Sequence, residues 1–304
     1  MKGLRNKVIL SGIVLLFAFI ATIGSTYAWF TVSSQTTIES MQLNVTAADN
    51  LLLRPATHGA EETLNYLQDA SNYSTFITVQ DLIAAGYLYD SYTGTYGEAD
   101  FEGTGQWRLQ PSTVLAPTTS RFSWLENVNN RTYSAASAND YNGQYILLDF
   151  WLLSQSETPQ IIQLSNFSIN SYEETSGDLG NTTEQEFVQN AVRLGVWLDD
   201  SDHGGTEATG EGDMYLFGND TDYSFTFVEG MTGYDDTVAA NNVAPSTTGF
   251  TVNTTTSTSD LYTVNFNVPT LVRVAIYIEG WDAQASNDII LATFQVAFGF
   301  KYKG

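Results

Sequence analysis

The chain has no cysteine among its 304 residues, so disulfides, zinc–thiolate sites, iron–sulfur clusters and thiol nucleophiles are all excluded. Histidine is nearly as scarce. His58 and His203 are the only two, which rules out a His-rich metal centre and the H-E-x-x-H zinc motif. No G-x-S-x-G elbow or Walker loop occurs, so the signatures of common hydrolases and nucleotide-binding proteins are missing as well. Basic residues are few, 11 against 34 acidic ones, and three of the 11 stand before residue 8. Beyond Ala28 the balance is eight bases to 34 acids, a formal charge of −26. Such a surface repels nucleic-acid phosphates and anionic lipid headgroups, so neither is expected as a partner. What the chain has is apolar mass: 43% hydrophobic and 13% aromatic residues, enough for a substantial core.

The first 28 residues carry the layout of an export signal. Lys2, Arg5 and Lys7 precede an almost unbroken apolar run, Val8 to Ile23, and the small Thr26 and Ala28 fit a signal-peptidase pocket. Cleavage is expected between Ala28 and Trp29, with the product secreted to the extracellular medium or cell surface. Extended to Phe30, the same run approaches the ~20 residues of a membrane span, so an uncleaved anchor stays open as the alternative. Downstream, Met41, Leu43, Val45 and Ala47 alternate with polar residues, the period of a half-buried strand. Its partner is either the chain's own sheet or a neighbour's.

The remaining chain reads as strands separated by turns. Leu51 to Leu53 is expected to continue the first sheet beyond a turn at residues 48–50. Thr78 with Asp81 forms a capping box for a short helix that stops at Gly86. Residues 89–105, rich in Tyr, Gly, Asp and Thr, read as a loop, and residues 56–142 as a whole read as a long insertion decorating the sheet. Tyr145 to Leu153 is apolar on both faces, as a covered central strand requires. Ile161 to Ser171 alternates only in part, Thr183 to Asn190 reads as a helix, and Ala191 to Leu198 is a strand. Short strands follow at 214–217 and 223–228, and residues 230–259 read as loop. Val272, Val274, Ile276 and Ile278 form one apolar face, and Phe294, Val296, Phe298 and Phe300 another. The fold class is therefore all-β: an antiparallel, jelly-roll-like β-sandwich with short helices. Residues 1–28 are the signal, 29–47 an N-terminal strand, and 48–304 the sandwich with its insertion at 56–142.

The basic start, the apolar run, the Thr26-Tyr27-Ala28-Trp29-Phe30-Thr31 junction and the strand at residues 41–45 resemble secreted proteins of Gram-positive bacteria with TasA- and camelysin-type leaders. Residues 272–300 are similar to the closing hairpin of that class. The resemblance implies a subunit of extracellular or biofilm-matrix fibres, assembled when each copy donates its N-terminal strand to the next. The apolar contacts of a donated strand would be Trp29, Phe30, Val32, Ile38, Met41, Leu43 and Val45. A sheet short of one strand has open edge groups and an apolar groove, and a neighbour's strand closes both.

Two other chemistries have candidate residues. Asp199, Asp200 and Asp202, with Asn219, Asp220 and Asp222, offer a set of oxygen donors suited to calcium, although the twelve-residue calcium-loop pattern is absent. A solvated turn explains the same residues, and no other cofactor is expected. Aromatics between Tyr87 and Phe101 and around Trp107 are expected first to pack the insertion over the sheet; they also suit stacking on sugar rings, which makes a monomeric surface adhesin or polysaccharide-binding module the alternative to a homopolymer. Adjacent acids such as Glu173 and Glu174 say nothing about carboxylates opposed across a cleft, and no enzymatic activity is expected.

Overall fold

Alternating apolar residues build two facing sheets. The computed structural model describes residues 36–38, 44–47, 50–87, 89–90, 95–96, 107–115, 123–127, 132–135, 144–171, 182–198, 214–220, 223, 236–237, 251–254, 259–282, 284–285 and 294–304. These lie in the compact unit Ser34–Gly304. Among the described residues eleven strands form the sandwich: β1 (Asn44–Ala47), β2 (Leu51–Pro55), β3 (Phe76–Ile77), β4 (Tyr145–Ser154), β5 (Gln160–Ser171), β6 (Val192–Leu198), β7 (Tyr215–Gly218), β8 (Thr251–Thr254), β9 (Asp260–Val264), β10 (Thr270–Ile278) and β11 (Phe294–Tyr302). The six-stranded sheet has the order β8-β7-β6-β10-β4-β2, and the five-stranded sheet β9-β5-β11-β1-β3.

Between these eleven strands the ladders are antiparallel except for β7 with β8 and β11 with β1. The fold is thus an all-β sandwich of mixed sheets. Between the sheets lie the two apolar faces read from the sequence, Val272, Val274, Ile276 and Ile278 from β10 against Phe294, Val296, Phe298 and Phe300 from β11, all essentially without exposure. Phe150 of β4 meets Phe298 edge-on at 6.0 Å, a direct ring contact across the core.

Local chemistry explains several departures from strict alternation. In β5 the register against β11 shifts between Ser165 and Ser168, and Asn166 adopts φ 50°. That bulge switches the inward parity from Ile162 and Leu164 to Ile169, so one strand reads as a broken pattern. The expected helix is α2 (Val79–Ala84), following the single turn α1 (Leu64–Leu67). Its capping box between Thr78 and Asp81 is complete, and Gly86 follows at φ 92°. The third helix, α3 (Thr182–Ala191), begins one residue before Thr183.

Two sequence expectations are corrected. Leu51 to Leu53 does not continue the sheet of β1. Asn50 turns at φ 66°, and β2 crosses to the other sheet, where it pairs with β4. The loop expected over 230–259 contains β8, a strand whose pairing comes from β7 some 35 residues upstream rather than from its own Thr-rich composition. The stretch 56–142 also contributes to the interior: Leu67, Ile77, Leu82, Tyr87, Leu109, Val114 and Leu115 are all buried. Among the described residues no helix is long and apolar enough to cross a membrane.

Candidate functional site

Two built features stand out: the seat of the N-terminal strand, and a sealed polar cluster at one end of the six-stranded sheet. The seat lies between β11 and β3. Val45 pairs with Phe298 on one side and Ile77 on the other, and its side chain has no exposure. Four register pairs join β1 to β11 and two join it to β3, with Ala47 N–H donating to the Thr75 carbonyl at 2.8 Å. Gly299 sets the floor of the seat. A Cβ there would come within 2.5 Å of Thr46 Oγ1 and 2.8 Å of the Thr46 carbonyl, so only glycine lets the two backbones approach this closely. Upstream of β1, the three residues Thr36–Ile38 pair antiparallel with Trp107–Leu109.

The polar cluster was not anticipated from the sequence. Arg193 of β6 stands in register with Tyr277 of β10, and its Nη2 donates to Asp282 Oδ2 at 2.6 Å. Arg193 also donates to the carbonyls of Asn190 and Val192. Its guanidinium lies 5.2 Å from the ring centroid of Tyr223, and its stem packs on Gly218, where a Cβ would sit 2.9 Å from Cδ. Glu279, at the end of β10, is wholly buried; its Oε1 accepts from Trp281 N–H at 3.0 Å, and Thr113 faces the same carboxyl. Burial pushes Glu279 up to about 7, against the opposing pull of Trp281 N–H, Thr113 and Arg193. Burial likewise raises Asp282, although Arg193 holds it back, and raises the phenols of Tyr223 and Tyr277. The available signal was a charged residue inside the apolar VRLGVWL and another at the end of the apolar run VAIYIEGW.

The expected site residues are placed as follows. Val45 is seated in the core of its own chain, and the backbone of Ile38 pairs with Trp107. Ala28, Trp29, Phe30, Val32, Met41 and Leu43 lie outside the described residues. So do Asp199, Asp200, Asp202, Asp222 and His203. Of the calcium set, Asn219 spends its amide on the Ile169 carbonyl at 2.7 Å, and Asp220 lies close enough to Asp282 to raise it. Among the described residues no group of three or more acidic or histidine side chains is arranged to hold a metal ion. Of the aromatics read as packing the insertion or stacking on sugars, Tyr87 packs: it is 1% exposed and lies against His58 at 5.3 Å between ring centroids. It belongs to the main core cluster, with its phenol beside Asp149 of β4.

No protein-family model, no curated protein and no solved structure matches this chain.

Proposed function

We propose that this protein is a secreted structural subunit that polymerises into an extracellular filament by exchanging its N-terminal strand between copies. The observation that carries the reading is the seat of β1. A four-residue strand, bound by four pairs on one side and two on the other, fills a slot whose chemistry is identical in every copy. Among the described residues main-chain hydrogen bonds, the pocket for Val45 and the fit of Thr46 over Gly299 recognise it, and all three serve a strand from another molecule as well as the chain's own. Burying Val45 contributes about 1.5–2 kcal/mol, large enough to select the register and small enough to permit exchange. The acidic surface, −23 over the full chain, opposes non-specific clumping of copies and leaves a strand-sized contact as the specific one.

The test deletes residues 29–47 and, separately, replaces Gly299 by valine, whose side chain collides with Thr46 in any strand occupying the seat. Secreted protein is then imaged by negative-stain microscopy and sized by light scattering. Loss of filaments in both variants, with a peptide of residues 36–48 binding one-to-one to a chain truncated before Asn50, supports the reading. Filaments of unchanged abundance after the deletion would sink it.

A further inference from the structure

The sealed cluster and the N-terminal strand are connected through one segment. Ser112 bridges Glu279 in a parallel pairing, Gly280 N–H donates to the Ser112 carbonyl at 2.9 Å, and Ser112 Oγ donates to the Gln144 carbonyl at 3.0 Å. Gln144 Nε2 in turn donates to Gln110 Oε1 at 2.8 Å. Residues 110–115 are therefore pinned at Glu279, and the residues just before them, Trp107–Leu109, are those that pair with Thr36–Ile38. Whatever loosens the pin loosens the platform on which the chain leading into β1 rests.

The charge count of the cluster is uneven. One guanidinium, Arg193, is enclosed with two carboxyls, and its 2.6 Å bond goes to Asp282. Among the described residues Arg193 is the cation nearest Glu279, and it is shared with Asp282. The groups facing it are Arg193 from β6, Tyr277 from its own β10, Asp282 from the following turn, Tyr223 and, beyond Asp282, Asp220 from the stretch after β7, and Thr113 from the pinned segment. With Glu279 protonated the buried set of Arg193, Asp282 and Glu279 is neutral; with it ionised, a net negative charge is sealed in an apolar surround.

We propose that Glu279 is a pH-operated latch: protonated, it holds residues 107–115 on the sheet, and ionised, it frees them and with them the pairing partner of Thr36–Ile38. The regulatory part, control of strand exchange, rests on the subunit reading above; the latch itself does not. The direction follows from linkage. In an opened segment Glu279 titrates near the ordinary 4.5, whereas burial holds the closed form at about 7. The closed state's advantage is therefore complete below about pH 4.5 and is lost as pH rises to about 7. Between about pH 5 and about pH 8 the opening constant of the segment rises on the order of fifty-fold.

Hydrogen exchange of the full chain, corrected for intrinsic rates, reads this directly at residues 107–115 and 36–38. The expected result is the fifty-fold rise in the wild type and a flat profile in Glu279→Gln, which keeps the neutral shape. Filament formation should accelerate over the same pH interval in the wild type alone. Infrared difference spectra of the wild type supply a readout that needs no variant, the loss of a protonated-carboxyl band as pH crosses 7. A wild-type exchange profile without pH dependence, or the same dependence in Glu279→Gln, overturns the latch. A latch that operates with no response in assembly overturns its link to strand exchange and leaves the exchange measurement standing.

Discussion

On the outer face of the six-stranded sheet the Arg273–Asp149 pair, at 3.4 Å, lies between two further arginine–carboxylate clusters, one toward each end. At one, Arg54 of β2 pairs with Glu62, which also accepts from Thr57 Oγ1 at 2.8 Å and Trp151 Nε1 at 2.7 Å, while the guanidinium stacks at 4.5 Å on the ring of Tyr66. At the other, Arg193 serves Asp282 with Glu279 enclosed beside them. The first is one cation to one anion, with three donors on the acid and its side chains 9% and 8% exposed. The second is one cation to two acids, with 1% and 0% exposure for the bridged pair. The difference teaches that burial alone does not make a cluster responsive. The surplus acid does, because a balanced pair has no proton whose addition restores neutrality.

The largest effect expected from breaking this contrast is at Arg193. Replacing it by methionine keeps much of its volume but leaves Asp282 and Glu279 enclosed without a cation, at a cost of about 3–5 kcal/mol near pH 7. Denaturant unfolding measures it. Both acids then favour their protonated forms in the folded state, so much of the loss should return as pH is lowered toward 5. A loss independent of pH would mean that the side chain acts by packing on Gly218 and Tyr223 rather than by charge.

These clusters also show where the sequence was readable. Single-strand alternation identified β10 and the helix caps because those signals are complete within a few residues: Val272 to Ile278 share a face, and Thr78 reaches Asp81 within one turn. Parity across a bulge was not readable, since Asn166 resets β5 only by virtue of its φ, nor was the sheet exchanged between β1 and β2 at Asn50. The strand β8 was hidden for the same reason, its stability residing in β7. Of the seat, Val45 could be named from its period, but Gly299 could not, because nothing near it in sequence announces Thr46 as the neighbour. Arg193 and Glu279 were each visible as misplaced charges and invisible as a pair, 86 positions apart.

A smaller effect should follow at the balanced cluster. Arg54→Met leaves Glu62 with two donors and a route to water, so the expected loss is about 1–3 kcal/mol, below that of the Arg193 variant and with less recovery on acidification. Equal losses at the two arginines would remove the contrast drawn above. Smallest is Tyr66→Ala. Tyr66 is 45% exposed and contributes one ring face to Arg54, while Tyr73, 5.9 Å from the same guanidinium, supplies another aromatic neighbour. The expected cost is about 0.5–1 kcal/mol, read as a small shift of the unfolding midpoint with no change in its pH profile. A cost of several kcal/mol would instead place the stability of this end of the sheet in the cover built by α1, with the Arg54–Glu62 pair a consequence of that cover and not its cause.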